Sequence, residues 1–357
     1  MSLWWKIILG ICSVVVILTA GAFLYFRHNA DPSKEQDEVV RQIEVGAEEE
    51  TVLPQELEEP EIFTFAIGGD MMFDRAIDNN FRGDKIFDVV AKLKESLVFA
   101  NKDLSFVNLE GPISATPIPA DSTANNMSFN FPPKTLDALL DLEIDAVSLA
   151  NNHTRNNGAA GFANTIKVLT EKGIVPIGDQ SSFEQETSIK RFTKGDITLS
   201  VFAIHCLQVS TDITALIKTE KASGNYVLIF PHWGEEYNLT HVSSQTRLAH
   251  SWIDAGADMV IGSHPHVIED AELYKGRPIF YSIGNLLFDQ TFSKATMRGL
   301  IISGSISSEK DLTIDLIPVV SQKLIPTLTE TPEKDGITSS FYKIFNQDAT
   351  MPLKFQL

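Results

Sequence analysis

Six short apolar runs of β type each stop at a polar residue able to bind a metal or move a proton. They are IFTFAIGGD at Asp70, LSFVNLEG at Glu110, DAVSLANNH at Asn152 and His153, YVLIFPHWG at His232, DMVIGSHPH at His264 and His266, and PIFYSIGN at Asn285. Between them the apolar spacing is helical. DKIFDVVAKLKESLVFANK sets Ile86, Val89, Val90, Leu93, Leu97 and Val98 on one stripe and predicts a helix over 84–102. PKTLDALLDLE (133–143) follows two prolines, GFANTIKVLTEKG (161–173) ends on Gly173, and SSQTRLAHSWIDAGA (243–257) offers Ser244 as N-cap. Strands alternating with helices predict an α/β protein. The stretch from about 191 to 206 and the run DLTIDLIPVV (311–320) read as a hairpin and edge strands, which adds a mixed or second sheet. In such folds ligands bind beyond the carboxyl ends of the strands, so the six polar run-ends point to one shared site.

The N-terminal pattern is different. Residues 7–26 are twenty residues without a charge, the length of a bilayer-spanning helix, with Trp4, Trp5 and Tyr25 at its ends. Ala20-Gly21-Ala22 resembles a signal-peptide cleavage site, but the apolar run continues through Phe23, Leu24 and Phe26, favouring an uncleaved anchor. The expected topology is a single pass with a cytoplasmic N-terminus and the main domain outside. The expected organisation is an anchor (1–28), a tether (29–60), a main domain (61–325) and a C-terminal extension (326–357). Residues 31–61 carry twelve acidic residues against Lys34 and Arg41, a self-repelling spacer. Much of the net charge of −18 sits there, and the remainder is mildly acidic. No basic patch is visible, so nucleic acid is not an expected partner. Cys12 lies in the apolar segment and leaves Cys206 alone, so no disulfide staples the domain.

Imidazole and carboxylate together suit divalent Mn, Zn or Fe, and one or two ions are expected. In His264-Pro265-His266 an extended backbone would point both imidazoles the same way, and Pro265 favours extension at His264. Asp70 follows Gly68-Gly69, so the chain can turn and bring its carboxylate close to a cation. Glu110 is a candidate ligand, and Asn151-Asn152-His153 offers an amide oxygen from Asn152 and a proton-transfer imidazole from His153. Arg75 and Arg155 are candidates for holding an anionic substrate group.

GGDMMFDR, NLEGP, VSLANNHTRNNG, PHWGEEY, GADMVIGSHPHVIED and GRPIFYSIGNLLFD, in this order, resemble the bacterial capsule-synthesis proteins of the poly-γ-glutamate (CapA) type. The resemblance covers about residues 62–325. It implies a metallophosphatase-like α/β/β/α sandwich of two mixed sheets following the transmembrane helix. It maps Asp70, the Asn152–His153 pair, His232, His264 and His266 onto the metallophosphatase motifs. With Glu110 the nearest candidate for the bridging Asp, the expected metal site is Asp70, Glu110, Asn152, His232, His264 and His266, and His153 is the expected general acid. Glu235 of PHWGEEY joins Arg75 and Arg155 as an expected substrate contact. Expected partners are the cytoplasmic membrane, an anionic extracellular polymer or its precursor, and membrane-embedded capsule-synthesis subunits. Metallophosphatases carry a His two residues after the first Asp, and here that position is Met72. Two readings follow: a metal-dependent hydrolase-like enzyme, or a non-catalytic component that binds polymer or a partner.

Overall fold

The computed structural model describes residues 60–114, 127–329, 336–349 and 351–357. The expected anchor, and the tether up to residue 59, lie outside them. Among the described residues no helix is long and apolar enough to cross a membrane.

The strands are β1 (Ile62–Met71), β2 (Leu104–Leu109), β3 (Ala146–Ser148), β4 (Val175–Ile177), β5 (Ile189–Lys194), β6 (Ile197–His205), β7 (Tyr226–His232) and β8 (Met259–Ile261). They continue as β9 (Ala271–Tyr274), β10 (Arg277–Phe280), β11 (Asn285–Leu287), β12 (Arg298–Ser307), β13 (Asp311–Gln322), β14 (Ile325–Leu328) and β15 (Leu353–Gln356). The larger sheet runs β14-β13-β12-β1-β2-β3-β4, with β11 added on β1 and β15 on β13. The smaller runs β5-β6-β7-β8-β10-β9. Both are mixed: β1, β2, β3 and β4 are parallel, as are β6, β7, β8 and β10, while β12 and β5 join antiparallel.

Strands buried on both faces must be apolar on both, and these are. Phe63, Phe65 and Ile67 of β1 and Phe106 of β2 meet Leu199, Val201, Leu228 and Phe230 of the other sheet. Phe106 and Phe230 make an edge-to-face pair with centroids 4.8 Å apart, a geometry worth roughly 0.5–1.5 kcal/mol beyond its buried area. On the outer face of the larger sheet, Ala66, Val107 and Val147 pack with Val89, Val90 and Leu93 of the helix Ile86–Glu95. On the outer face of the smaller, Val227, Ile229 and Val260 pack with Ala249, Trp252 and Ile253 of the helix Ser243–Ala255. The result is a four-layer α/β protein with two mixed sheets at its centre.

Several local expectations change. The helix expected over 84–102 stops at Glu95, because Leu97 turns left-handed (φ 57°) and is exposed. Ser244 does not cap its helix: the element starts at Ser243, and Gln245 Oε1 accepts the Val242 N–H at 2.7 Å. The run PIFYSIGN is not one strand. It breaks after Phe280, and Asn285 opens β11 in the other sheet. β13 is interior rather than an edge, lying between β12 and the short strands β14 and β15. The boundary expected at 325 falls within the larger sheet, and Phe341, Phe345 and Phe355 beyond it belong to the inter-sheet core.

Gly69 sets the closest approach near the strand ends. A Cβ there would lie 1.9 Å from Gly284 O. Gly69→Ala is therefore expected to lower stability by about 1–3 kcal/mol, the usual cost of overpacking. In thermal denaturation this reads as a fall of roughly 3–8 °C, while exposed Lys92→Ala leaves the midpoint unchanged.

Candidate metal centre

The carboxyl ends of β1, β2, β3, β7 and β8 converge on one edge of the sandwich. β1 pairs Gly68 with Val107 and then Asp70 with Asn108, so Gly69 is an extra, bulged residue. Bulges re-aim side chains. Here the bulge turns the chain so that the Asp70 N–H donates to Gly284 O at 3.1 Å. Asp70 Oδ1 accepts Asn108 Nδ2 at 2.7 Å, and Asp70 Oδ2 lies 3.3 Å from both the His264 N–H and His266 Nδ1.

The His-Pro-His segment is not extended. His264 has φ 100° and His266 φ 57°, both left-handed. A tight turn, not a strand, brings the two rings to the same place. The expectation of convergence holds by a different backbone route, and it leaves two non-glycine residues in a costly conformation. Such strain gathers at functional sites, where surrounding contacts hold it.

Glu110 occupies the middle. It is fully buried, and neither carboxylate oxygen has a hydrogen-bond partner. Its Oε1 lies 3.7 Å from His266 Nε2, 3.8 Å from His153 Nε2 and 3.9 Å from His232 Nε2. Ligands at about 2.0–2.2 Å around a tetrahedral cation sit roughly 3.3–3.6 Å apart. The spacings here are too long for hydrogen bonds and close to what a shared cation needs. Ligand atoms of Glu110, His264 and His266 all lie within 4.8 Å of one another. His232 Nε2 is 2.9 Å from Asn152 Oδ1 and 3.1 Å from His264 Nδ1. One imidazole proton at most can serve these two contacts, and a cation would satisfy all three atoms together. The donor set fits a divalent metal.

Burial, then the neighbouring charges, sets the protons. Burial alone would depress His266, but the charges of Glu110 and Asp70 outweigh it and hold the imidazole up at about 9. Burial pushes Glu110 well above the usual carboxylate range, with His266 pulling the other way. The buried pair therefore retains at least one proton at neutral pH when no cation is present. Burial lowers His264 and His153 to about 4 and His232 well below its ordinary value, so these three offer lone pairs.

His153 Nδ1 lies 3.0 Å from Asn156 Oδ1, which also accepts the Phe129 N–H. That acceptor places the ring proton on Nδ1 and leaves Nε2 bare toward Glu110. In this neutral state His153 presents a lone pair at Nε2. Phe129 stacks on its ring with centroids 4.1 Å apart.

The expected substrate contacts divide. Arg75 lines a cavity of about 500 Å3 together with His153 and His266, but its guanidinium is engaged by Asp289 and lies over the Phe129 ring. Arg155 is turned away, paired with Asp179 and stacked over Phe162. Glu235 is exposed and accepts Asn238 Nδ2. Its neighbour Glu236 is the one whose charge acts on Glu110, His153 and His264. Met72 is fully buried among core side chains, its Sδ accepting the Asp74 N–H at 2.9 Å.

Other residues join the cluster. Asn108 joins Asp70 to the Asn151 amide, and a lone amide in LSFVNLEG was the available signal. Ser263 Oγ sits 3.0 Å from His232 Nδ1. His205 pairs in register with His232 and keeps a buried, unpartnered Nε2. Asn285 Oδ1 lies 3.0 Å from His266 Nδ1, and its amide donates to Thr296 O, so it supports the loop.

The described cluster lies within residues 64–290, which match the family model for bacterial capsule synthesis protein PGA_cap. The capsule biosynthesis protein CapA of Bacillus anthracis is 26% identical over 303 residues, covering 78% of this chain and 72% of that one. The PGA biosynthesis protein CapA of Bacillus subtilis is 25% identical over 261 residues, covering 68% and 67%. A solved structure of a putative 5′-nucleotidase from Staphylococcus aureus overlaps 80% of this chain and 58% of its own, at TM-score 0.45 and 12% identity. That likeness is too distant to carry chemistry across. The match over more than half of its length shows that this chain belongs to the bacterial capsule synthesis protein family.

Proposed function

We propose that this chain is a membrane-anchored, extracytoplasmic component of capsule or poly-γ-glutamate synthesis that hydrolyses a phosphoester or amide bond at a divalent-metal cluster. The observation that carries the proposal is Glu110, a fully buried carboxylate with two unpartnered oxygens among three imidazoles. The membrane anchor is supported by the uncharged run 7–26. The polymer setting, with an anionic polymer or its precursor and membrane-embedded subunits as partners, is supported by the names of the Bacillus relatives.

Glu110, His232, His264 and His266 would hold the metal, with Asp70 and Asn152 beside them. The mixed nitrogen and oxygen set suits Mn, Zn or Fe. When bound, the ion supplies Lewis acidity toward a phosphoryl or carbonyl oxygen. His153 Nε2 faces the cavity. An anionic group bound beside it would raise its basicity so that it takes a proton, to be handed on when that negative charge leaves. Arg75, Phe129 and Asp289 fix the His153 ring face. Asn285 and Asp70 orient His266, the outer contact that metal-bound histidines need. Met72 favours the second reading, a non-catalytic polymer- or partner-binding component, because its buried thioether offers no ligand where related enzymes have a histidine.

Elemental analysis of purified full-length protein should find a stoichiometric divalent metal. Glu110→Gln should weaken metal binding in calorimetric titration by more than the roughly 10–100-fold that removal of an outer contact costs. A protein that neither retains nor takes up metal would sink the proposal.

Because His266 titrates near 9 without metal, binding at pH 7 must displace a proton. The expected outcome is a binding enthalpy that varies linearly with the buffer's ionisation enthalpy. Affinity should rise as pH increases toward 9 and fall on acidification, and His266→Gln should flatten that dependence.

His153→Gln separates the two readings. Full metal content with polymer production lost is expected of an enzyme. Unchanged production in the folded variant would leave the binding component.

A further inference from the structure

Away from the metal cluster, a cavity of about 390 Å3 opens between the segment Ile268–Asp270, the loop 294–298 and the helix Ile337–Ile344. Glu269 lines it at 2% exposure. Gln245 Nε2 donates to Oε2 at 2.7 Å, but the buried Oε1 has no partner. Other buried acids of this chain are differently placed. Glu220 is held by Arg191, Ser200 and Asn225, and Asp258 by Lys221 and the Val227 N–H. Glu269 alone of these three has only a neutral amide. Burial pushes its carboxyl up to about 7, with the neighbouring Asp270 adding to the shift.

The rest of the lining indicates what Glu269 lacks. Asp270 lies beside it, while Lys294 and Arg298 come from a different segment, and Ile268 and Phe341 supply apolar wall. Lys294 is exposed and makes no ion pair among the described residues. Two acids from one segment, of which Asp270 is already held by His241 Nδ1 at 2.7 Å, face two bases from another. A bare metal ion would meet two cations here, and a simple anion would meet two carboxylates. A ligand carrying both signs meets neither objection.

We propose that this cavity binds an ammonium and a carboxylate borne on one small molecule unit, the ammonium at Glu269 and the carboxylate at Lys294 and Arg298. A free α-amino acid presents that pair. So does the amino end of a γ-linked glutamyl chain, whose terminal residue keeps both its α-amine and its α-carboxylate. The polymer source rests on the proposed role in poly-γ-glutamate synthesis, whereas the free amino acid does not.

The test titrates full-length protein calorimetrically with glutamate, γ-glutamylglutamate and N-acetylglutamate, and follows thermal midpoints in parallel. Glutamate or the dipeptide should bind and raise the midpoint, and N-acetylglutamate, which lacks the ammonium, should do neither. Tighter binding of the dipeptide assigns the site to a chain end, and equal or tighter binding of glutamate assigns it to the free amino acid. Glu269→Gln keeps the side-chain shape, and Lys294→Ala alters only an exposed residue. Each should weaken binding at least tenfold without changing metal content, so failure here leaves the metal proposal standing. Binding of N-acetylglutamate equal to that of glutamate, wild-type affinity in both variants, or no binding by any ligand at millimolar concentration would overturn it.

Discussion

The site depends on one buried charge. Glu110 has no hydrogen-bond donor among the described residues, and three imidazole nitrogens stand around it just beyond hydrogen-bond reach. Isolated ionised carboxylates are expensive to bury, and the ordinary remedies are a proton, a paired cation or a metal. Without metal, the remedies available are a proton on Glu110 itself and the charge of the nearby His266. The imidazoles of His232, His264 and His153 cannot serve, because burial holds them neutral. A divalent cation would satisfy Glu110 and those lone pairs together, and the cluster is arranged as though for that.

Holding so many acceptors together requires rigid supports from both sheets. Asp70, Glu110, Asn152 and His153 come from the larger sheet or its loops, and His232 from β7 and His264 and His266 from the turn after β8 of the smaller. Two backbone devices join them. The bulge at Gly69 lets β1 touch the turn at Gly284, and that turn hands the chain from β10 in one sheet to β11 in the other. The left-handed residues at His264 and His266 fold their imidazoles back toward Asp70. Side-chain amides then fix the register: Asn108 to Asp70, Asn151 to Asn108, Asn285 to His266.

Most of this was legible as residue type. Each run-end named in the sequence lies at or near the edge where the sheets meet, because a strand buried on both faces stops being apolar only where it leaves the sheet. The failures have a common physical source. Arg75 and Arg155 looked like free cations in linear order, yet Asp289 and Asp179, far away in sequence, neutralise them. Glu235 and Glu236 are indistinguishable in the string HWGEEY, and only the backbone direction after Gly234 puts one charge toward the site. His205 has no polar neighbours of its kind in sequence, and its neighbour is His232 on the adjacent strand.

The sequence alone determined the alternation of apolar strands and helices, the polar residues at the strand ends, and the family pattern, since each is written in local order. It also set the chemistry on offer, a mixed carboxylate, amide and imidazole set. Tertiary structure decided which of those groups share a space. Only there does Glu110 become the centre, His153 a buried imidazole turned toward it, and Glu269 a buried acid held by a neutral amide. Protonation and ligation depend on burial and on distances of a few ångströms, and the residues that supply both are far apart along the chain.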